Sequence, residues 1–464
     1  MIPISQQLSL VWRKLLRSPG FSAIAILTLA LGIGANTAIF SVVHSVLLTP
    51  LPFERPQELY GLWHNGHGIG ISQIEQSNST YSVYRELAES FSEVGMADGD
   101  FSMSLTEIGE SVRVETGAAT ASLFEVLGVS PLLGRTFTEE EDDPGAPQVA
   151  IMSYEFWRGR FGADPDILGR SLRLNGTTWN VIGVMPAGFN YSGENTEIWI
   201  PHVIAPEDLG RVNFSYEAVG RLKPGVSVKA ANEELNRLLY QLPEIYPGEL
   251  TVGLIESAEL VPYISPLLED VVGGISQVLW ILLGTVGFVL LIACANVANL
   301  FLVRAEGRQR EIALRAALGA SRGDNVQFFL TESLALAVLG GVFGIGFAYL
   351  ALRGLVALSP DNIPRLDEIG LHPEVLLFTA GLSLFSGVVF GLIPVLRYRR
   401  PNLVSAINAG SLRASAGRET HLVRGTLVVV QVALALLLLT GSALWRGRFG
   451  SSGTCIQDSK KTGC

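Results

Sequence analysis

Residues 271–303 read VVGGISQVLWILLGTVGFVLLIACANVANLFLV, a run of 33 positions without one Asp, Glu, Lys or Arg. A bilayer core of about 30 Å is crossed by about 20 helical residues, so this run can span it and continue beyond. Four more charge-free runs reach span length, at 18–53, 333–352, 375–396 and 425–445. They explain why a chain of 464 residues is 48% hydrophobic but only 16% charged, against about 25% charged in a typical soluble protein. A sixth run, 174–193, is interrupted by Asn175-Gly176, Pro186, Gly188 and Asn190, with only sparse apolar residues. It is expected to be sheet.

The net charge of −10 hides a division. Residues 54–270 hold 13 basic and 33 acidic side chains, net −20, so the remainder carries +10. The first part reads as an acidic, water-facing domain, large enough for its own core. It contains none of the three cysteines, Cys294, Cys455 and Cys464, so it is not a disulfide-stapled ectodomain. Leu172-Arg173-Leu174, Asn175-Gly176 and Thr177 to Val184 predict a β-hairpin, because Asn-Gly supplies both positive φ values of a type I′ turn. Val112, Val114 and Thr116 alternate as in a strand, and Val228, Ala231, Leu235, Leu238, Leu239 and Leu242 recur at helical spacing. The domain is therefore mixed α+β, led in by Pro50, Pro52 and Pro56.

Lys and Arg of short loops prefer the cytoplasm. Segments 1–20, 304–325 and 397–424 hold 3, 5 and 6 basic residues, 14 together, whereas the opposing loop 354–374 holds only Arg365. That places the N-terminus in the cytoplasm and residues 49–276 outside it. Residues 1–20 alternate Arg13, Lys14 and Arg17 with Leu8, Val11, Trp12, Leu15 and Leu16, as in an interfacial helix. The apolar run from Phe21 to about Leu48 is about twice a signal-peptide core and reads as a retained span. The tail departs from the rule: beyond a fifth span it belongs outside, yet it carries Arg446, Arg448, Lys460 and Lys461.

Little in the chain reads as catalytic. No GxxxxGK[ST] loop occurs and there are only five lysines, so nucleotide hydrolysis by this chain is not expected. His64 and His67 could open a metal site, but the intervening Asn65-Gly66 reads as a turn and no cysteine is near in sequence. HExxH is missing, and the external acids read as a solvated surface. Within the spans, Asn296 and Asn299 sit three apart, and Glu332 lies between Thr331 and Ser333. Polar groups in lipid are costly and often functional; the plainer reading gives the asparagines helix-to-helix hydrogen bonds and puts Glu332 at the interface near the arginine-rich loop. Gly340, Gly341, Gly344 and Gly346 permit close helix packing.

The connection RAEGRQREIALRAALGASRGDNVQFFLTESL, residues 304–334, leaves one span and enters the next, with a short amphipathic helix over Glu311 to Ser321 ending in a Gly-containing turn. Here the sequence resembles the FtsX-like permeases of ABC transporters, the group that includes the MacB-type exporters and the lipoprotein-releasing permeases. The likeness extends to LLRSPGFSAIAILTLALGIGANTAIFSVVHSVLL at the first span and FEVLGVSPLLGRTF at 124–137, covering about residues 8–400.

The resemblance implies a membrane α-helical bundle with a large mixed α+β periplasmic domain inserted between spans 1 and 2. The boundaries expected are a cytoplasmic interfacial helix at 1–20, span 1 at 21–48 and a MacB-like periplasmic core domain at 49–276. A permease domain at 277–400 follows, with spans about 277–303, 326–358 and 375–396 and a cytoplasmic coupling loop at 304–325. It also implies a cytoplasmic ABC ATPase partner docked on Arg308, Arg310, Glu311, Ile312, Arg315, Leu318 and Gly319, a second permease copy as homodimer or pseudo-dimer, and room for a periplasmic adaptor, in a bacterial inner membrane. No cofactor, nucleic acid or catalytic residue is expected. Residues 401–445 depart from a single family member: a fifth span, VVVQVALALLLLTGSAL, resembles the start of a second copy in duplicated relatives, and 446–464 is expected to be a disordered tail of a truncated product. A membrane-anchored sensor whose external domain binds a ligand is the alternative; its longest inside segment, about 28 residues, is short for an output domain.

Overall fold

A computed structural model describes residues 12–13, 15–106, 111–191, 196–307, 322–358 and 369–397, together with 429, 431–433, 436 and 440. Among the described residues four helices are long and apolar enough to cross a membrane. The first span is an α-helix over Pro19–Val43, continued by a π-helical turn at His44–Leu48. Pro19 stands at its N1 position, where the missing N–H has no intrahelical partner to lose. The second, third and fourth spans are Ile275–Gly307, Arg322–Leu358 and Pro373–Arg397. The second is 33 residues long, which at about 1.5 Å per residue is about 50 Å, well over the hydrocarbon thickness. Of the expected interfacial helix, residues 12–13 and 15–17 are described and helical. Leu15 does not lie outward with Trp12 and Leu16: it is buried in the core of the bundle beside Phe301.

The first span packs on the third and second, and the third on the fourth. Leu29 and Ile33 of the first span, Val297 and Phe301 of the second, Leu336 of the third and Phe390 of the fourth form one core. Outward residues such as Leu27, Trp280, Val342, Leu350 and Leu377 are exposed and apolar, as for helices that meet lipid on their outer faces. Backbones come closest where glycines face each other. A Cβ on Gly34 would fall 2.7 Å from the Gly344 carbonyl oxygen, and one on Gly340 2.7 Å from Leu29 Cβ.

Residues Thr49–Gly273 form a separate unit around an 11-stranded sheet. Its main order is β11 (Leu260–Pro266), β1 (Leu59–Gly66), β10 (Glu217–Leu222), β3 (Phe91–Leu105), β4 (Val112–Ala119), β9 (Ile198–Pro201), β6 (Val149–Met152), β8 (Thr177–Val184) and β5 (Leu133–Gly134), with β2 (Ile71–Ile74) on β1 and β7 (Ser171–Leu174) on β8. The predicted hairpin is β7 and β8, with Asn175 at φ 47° and Gly176 at φ 85°. The predicted strand at Val112 and the helix from Val228 are also present, the latter as Val228–Ile245. That helix and Asn78–Leu87 pack on the β1 side of the sheet, while Ala121–Leu127 and Tyr154–Phe161 cover its other parts. Gly95 lets helix Ala121–Leu127 press on β3, for a Cβ there would stand 2.4 Å from Leu123 Cα.

One expectation fails here. Asn65-Gly66 is not a turn but the end of β1, paired with Val261 and Leu260 of β11. Cross-strand pairing on a buried strand overrides the local turn preference of the dipeptide.

Candidate functional site

The membrane unit gathers its charge at one place. Arg304, in the last turn of the second span, sets Nη1 3.0 Å from Glu332 Oε1 of the third. Its Nη2 donates to Ser18 Oγ at 2.5 Å, and its guanidinium lies 4.4 Å from the Phe21 ring centroid at the start of the first span. Glu332 is 1% exposed. It lies beside Arg304, the first residue of the arginine-rich connection, and burial tolerates the carboxylate because the arginine opposite offsets its charge. The pair ties together the ends of the two spans that flank residues 308–321, with the base of the first span as a third anchor.

Arg308, Arg310, Glu311, Ile312, Arg315, Leu318 and Gly319 all fall within 308–321, outside the described residues. The two asparagines part company. Asn296 is exposed and accepts a hydrogen bond from Gln431 Nε2 at 3.2 Å, whereas Asn299 keeps a buried Oδ1 with no hydrogen-bond partner among the described residues. Gly340 faces Leu29, and Gly344 faces Ile33 and Gly34.

Sequence reading missed the polar links inside the bundle. Asn36 Nδ2 donates to Gly32 O within its own helix and to Val286 O of the second span, both at 2.8 Å. Thr37 Oγ1 and Thr379 Oγ1 lie 2.9 Å apart, joining first and fourth spans, and Ser41 Oγ donates to Gly370 O. Asn36 was findable, being the one amide side chain in the charge-free run 18–53; the threonine pair was not, since hydroxyls within a helix also satisfy their own i−4 carbonyl.

In the other unit, the last turn before the second span is pinned to the sheet. Helix Leu267–Val272 carries Asp270, which accepts from Trp63 Nε1 of β1 at 2.8 Å and from Ser265 Oγ. Burial pushes the Asp270 carboxyl above the usual range. Gly61 opposite has no room for a side chain, since a Cβ would meet Asp270 Oδ2 at 2.0 Å. Arg221, 6% exposed, donates to the carbonyls of Glu54, Arg55 and Val126 and so fastens the segment leading in from the first span to helix Ala121–Leu127.

His64 is no metal ligand in this arrangement. It lies fully buried in β1 between Tyr84 OH at 3.0 Å and Glu75 O at 3.2 Å, and burial lowers its pKa to about 4. Among the described residues no group of three or more His, Cys, Asp or Glu could hold a metal ion.

Comparison with known proteins agrees with this architecture. The profile of the MacB-like periplasmic core domain matches residues 22–238, and that of the FtsX-like permease C-terminal domain matches residues 283–403. A macrolide export ATP-binding/permease protein, MacB 1, of Yersinia pestis is 28% identical over 316 residues, 65% of this chain and 45% of its own length. The corresponding protein of Escherichia coli K12 is 26% identical over 301 residues, 64% of this chain and 43% of its own. The matched region thus spans less than half of these relatives. The periplasmic region of MacB from Actinobacillus actinomycetemcomitans aligns at 14% identity over 47% of this chain and 94% of its own, with a TM-score of 0.35 that carries no weight for the fold. With one profile over the first span and external unit and the other over the remaining spans, the chain belongs to the FtsX/MacB-like permeases of ABC transporters.

Proposed function

We propose that this chain is the transmembrane permease component of an ABC-type exporter or mechanotransmission complex, driven by a separate cytoplasmic ATPase. The relatives named as ATP-binding/permease proteins combine both activities in one name; in this reading the nucleotide step belongs to the partner ATPase, and the 464 residues hold no phosphate-binding loop. Binding and hydrolysis of ATP move the 304–325 connection, and the spans relay that motion to the unit at Thr49–Gly273, which faces the periplasm of a cell whose inner membrane holds the four spans. The N-terminus lies in the cytoplasm. A second permease copy completes the assembly, and a periplasmic adaptor continues the path for substrate.

The observation that carries this reading is the Arg304–Glu332 pair with its contact to Ser18. A displacement of the connection between the second and third spans is passed to the bases of three helices at once. Arg308, Arg310 and Arg315 offer charge to acids on the ATPase, Ile312 and Leu318 add apolar contact, and Gly319 is of the type that can terminate a helix. Glu311 and Leu318 are the informative positions, because the positive-inside rule needs neither. Glu311→Arg and Leu318→Asp should insert normally yet lose co-purification with the ABC ATPase, or its stimulated ATP turnover. Normal insertion with full ATPase coupling in both variants would remove the docking role.

A further inference from the structure

Asn296 poses a problem that the four spans do not solve. It is exposed on the outer face of the second span, between Val289 and Val303, which are 42% and 48% exposed. A bare amide facing hydrocarbon is disfavoured because nothing there satisfies it. Val289, Asn296 and Val303 recur every seven residues, the period at which one helix offers a seam to another crossing at a shallow angle. A single polar residue in such a seam fixes register between helices.

The described residues already bring one candidate to it. Gln431 Nε2 donates to Asn296 Oδ1 at 3.2 Å, and residues 429, 431–433, 436 and 440 around it are helical. Val429, Val432 and Leu436 are 67%, 53% and 56% exposed, so the amide is the part of this helix turned toward the second span. An independent observation matches the two residues in depth. Asn296 precedes Arg304 by eight residues and Gln431 follows Arg424 by seven, a sequence spacing that in a helical span of about 1.5 Å per residue would put both about 11–12 Å in from a basic end. The positive-inside rule assigns both basic ends to the same face. Two antiparallel helices anchored on that face would bring the two amides level without adjustment.

We propose that the helix bearing Gln431, within the charge-free run 425–445, is a fifth membrane span seated in cis on the outer face of the second span, with Gln431 and Asn296 satisfying each other inside the bilayer. The surface is a docking site for one more helix of this chain, built around a single amide pair and flanked by valines. It does not depend on the ATPase reading and stands or falls separately from it.

The test uses the full chain in native membranes, with Cys294, Cys455 and Cys464 changed to Ser. Asn296→Cys and Gln431→Cys together, treated with a short bis-methanethiosulfonate reagent, should give a linked peptide pair within one chain, read by mass spectrometry and absent after reduction. No link, or a linked dimer on a non-reducing gel, overturns the proposal; the dimer would hand the seam to a second copy. A second measurement guards against a reagent that cannot reach the site. Asn296→Leu and Gln431→Leu should each lower the melting temperature in detergent by a few degrees, and the double variant should fall no further than the worse single. Additive losses would show that the two side chains do not meet, and would overturn it as well.

Discussion

Arg304 and Glu332 face each other across the second and third spans with 3.0 Å between Nη1 and Oε1, and both are largely withdrawn from solvent. An ion pair so placed is stabilising only as a pair. Removing one partner leaves an uncompensated buried charge, at a cost of about 3–5 kcal/mol, while apolar replacement of both can be neutral. Glu332→Ala and Arg304→Ala are each expected to unfold the detergent-solubilised chain at markedly lower temperature, and Arg304→Met with Glu332→Leu to recover most of the loss. Equal melting temperatures for wild type and both single variants would refute the coupling.

Close backbone approach makes a second expectation. At Gly34 a methyl group would meet the Gly344 carbonyl oxygen at 2.7 Å and Phe347 Cδ1 at 2.9 Å, whereas at Gly284 nothing lies within 4 Å. Gly34→Val should cost roughly 1–3 kcal/mol or more, since the obstacle is backbone. Gly284→Ala should be harmless. Thermal unfolding of the two variants side by side decides it.

The external unit contains buried groups with opposite pH dependence. Burial raises the pKa of Asp142 to about 7, with one oxygen accepting from Ala121 N–H, and lowers those of His64 and His202 to about 4. The folded state holds its proton on Asp142 more tightly than the unfolded chain does, so that contribution is lost as pH rises from about 4 to about 7. The histidines behave in reverse: their contribution is lost as pH falls from about 6.5 toward about 4. Asp142→Asn should therefore stabilise the unit at pH 8, on the order of 1–2 kcal/mol after allowance for partial exposure, and much less at pH 4. Chemical denaturation followed by tryptophan fluorescence at the two pH values provides the comparison.

Helix Leu267–Val272 should loosen when its tie is cut. Asp270→Ala removes the acceptor for Trp63 Nε1 and Ser265 Oγ, so amide exchange across 267–272 should accelerate by one to two orders of magnitude, corresponding to about 1.5–3 kcal/mol for hydrogen bonds to a charged group. Exchange in β8, at the far side of the sheet, should be unchanged. Uniform acceleration through the unit would mean that Asp270 supports the whole sheet and not this one turn.

Sidedness can be read directly. A cysteine at Ser130, exposed in the external unit, should react with a membrane-impermeant thiol reagent added outside spheroplasts of a chain lacking its native cysteines, and one at Ser321 should not. The reverse pattern would invert the topology drawn from 14 basic residues against one.

The sequence by itself determined where the membrane is. Charge is so costly in hydrocarbon that five runs of span length could be counted from its absence, four of which are long apolar helices among the described residues, and the type I′ turn at Asn175-Gly176 and the apolar face of Val228–Ile245 follow from equally local rules. Tertiary structure decided which polar groups meet. His64 and Asn65 stay in β1 because β11 pairs with them; Glu332 is buried because Arg304, 28 positions earlier, folds back onto it; and Asn36 reaches Val286 across 250 residues. Nothing within a helical turn specifies these partners. A hydrogen bond or ion pair gains its value only when packing removes competing water, and that packing is a property of the assembled helices.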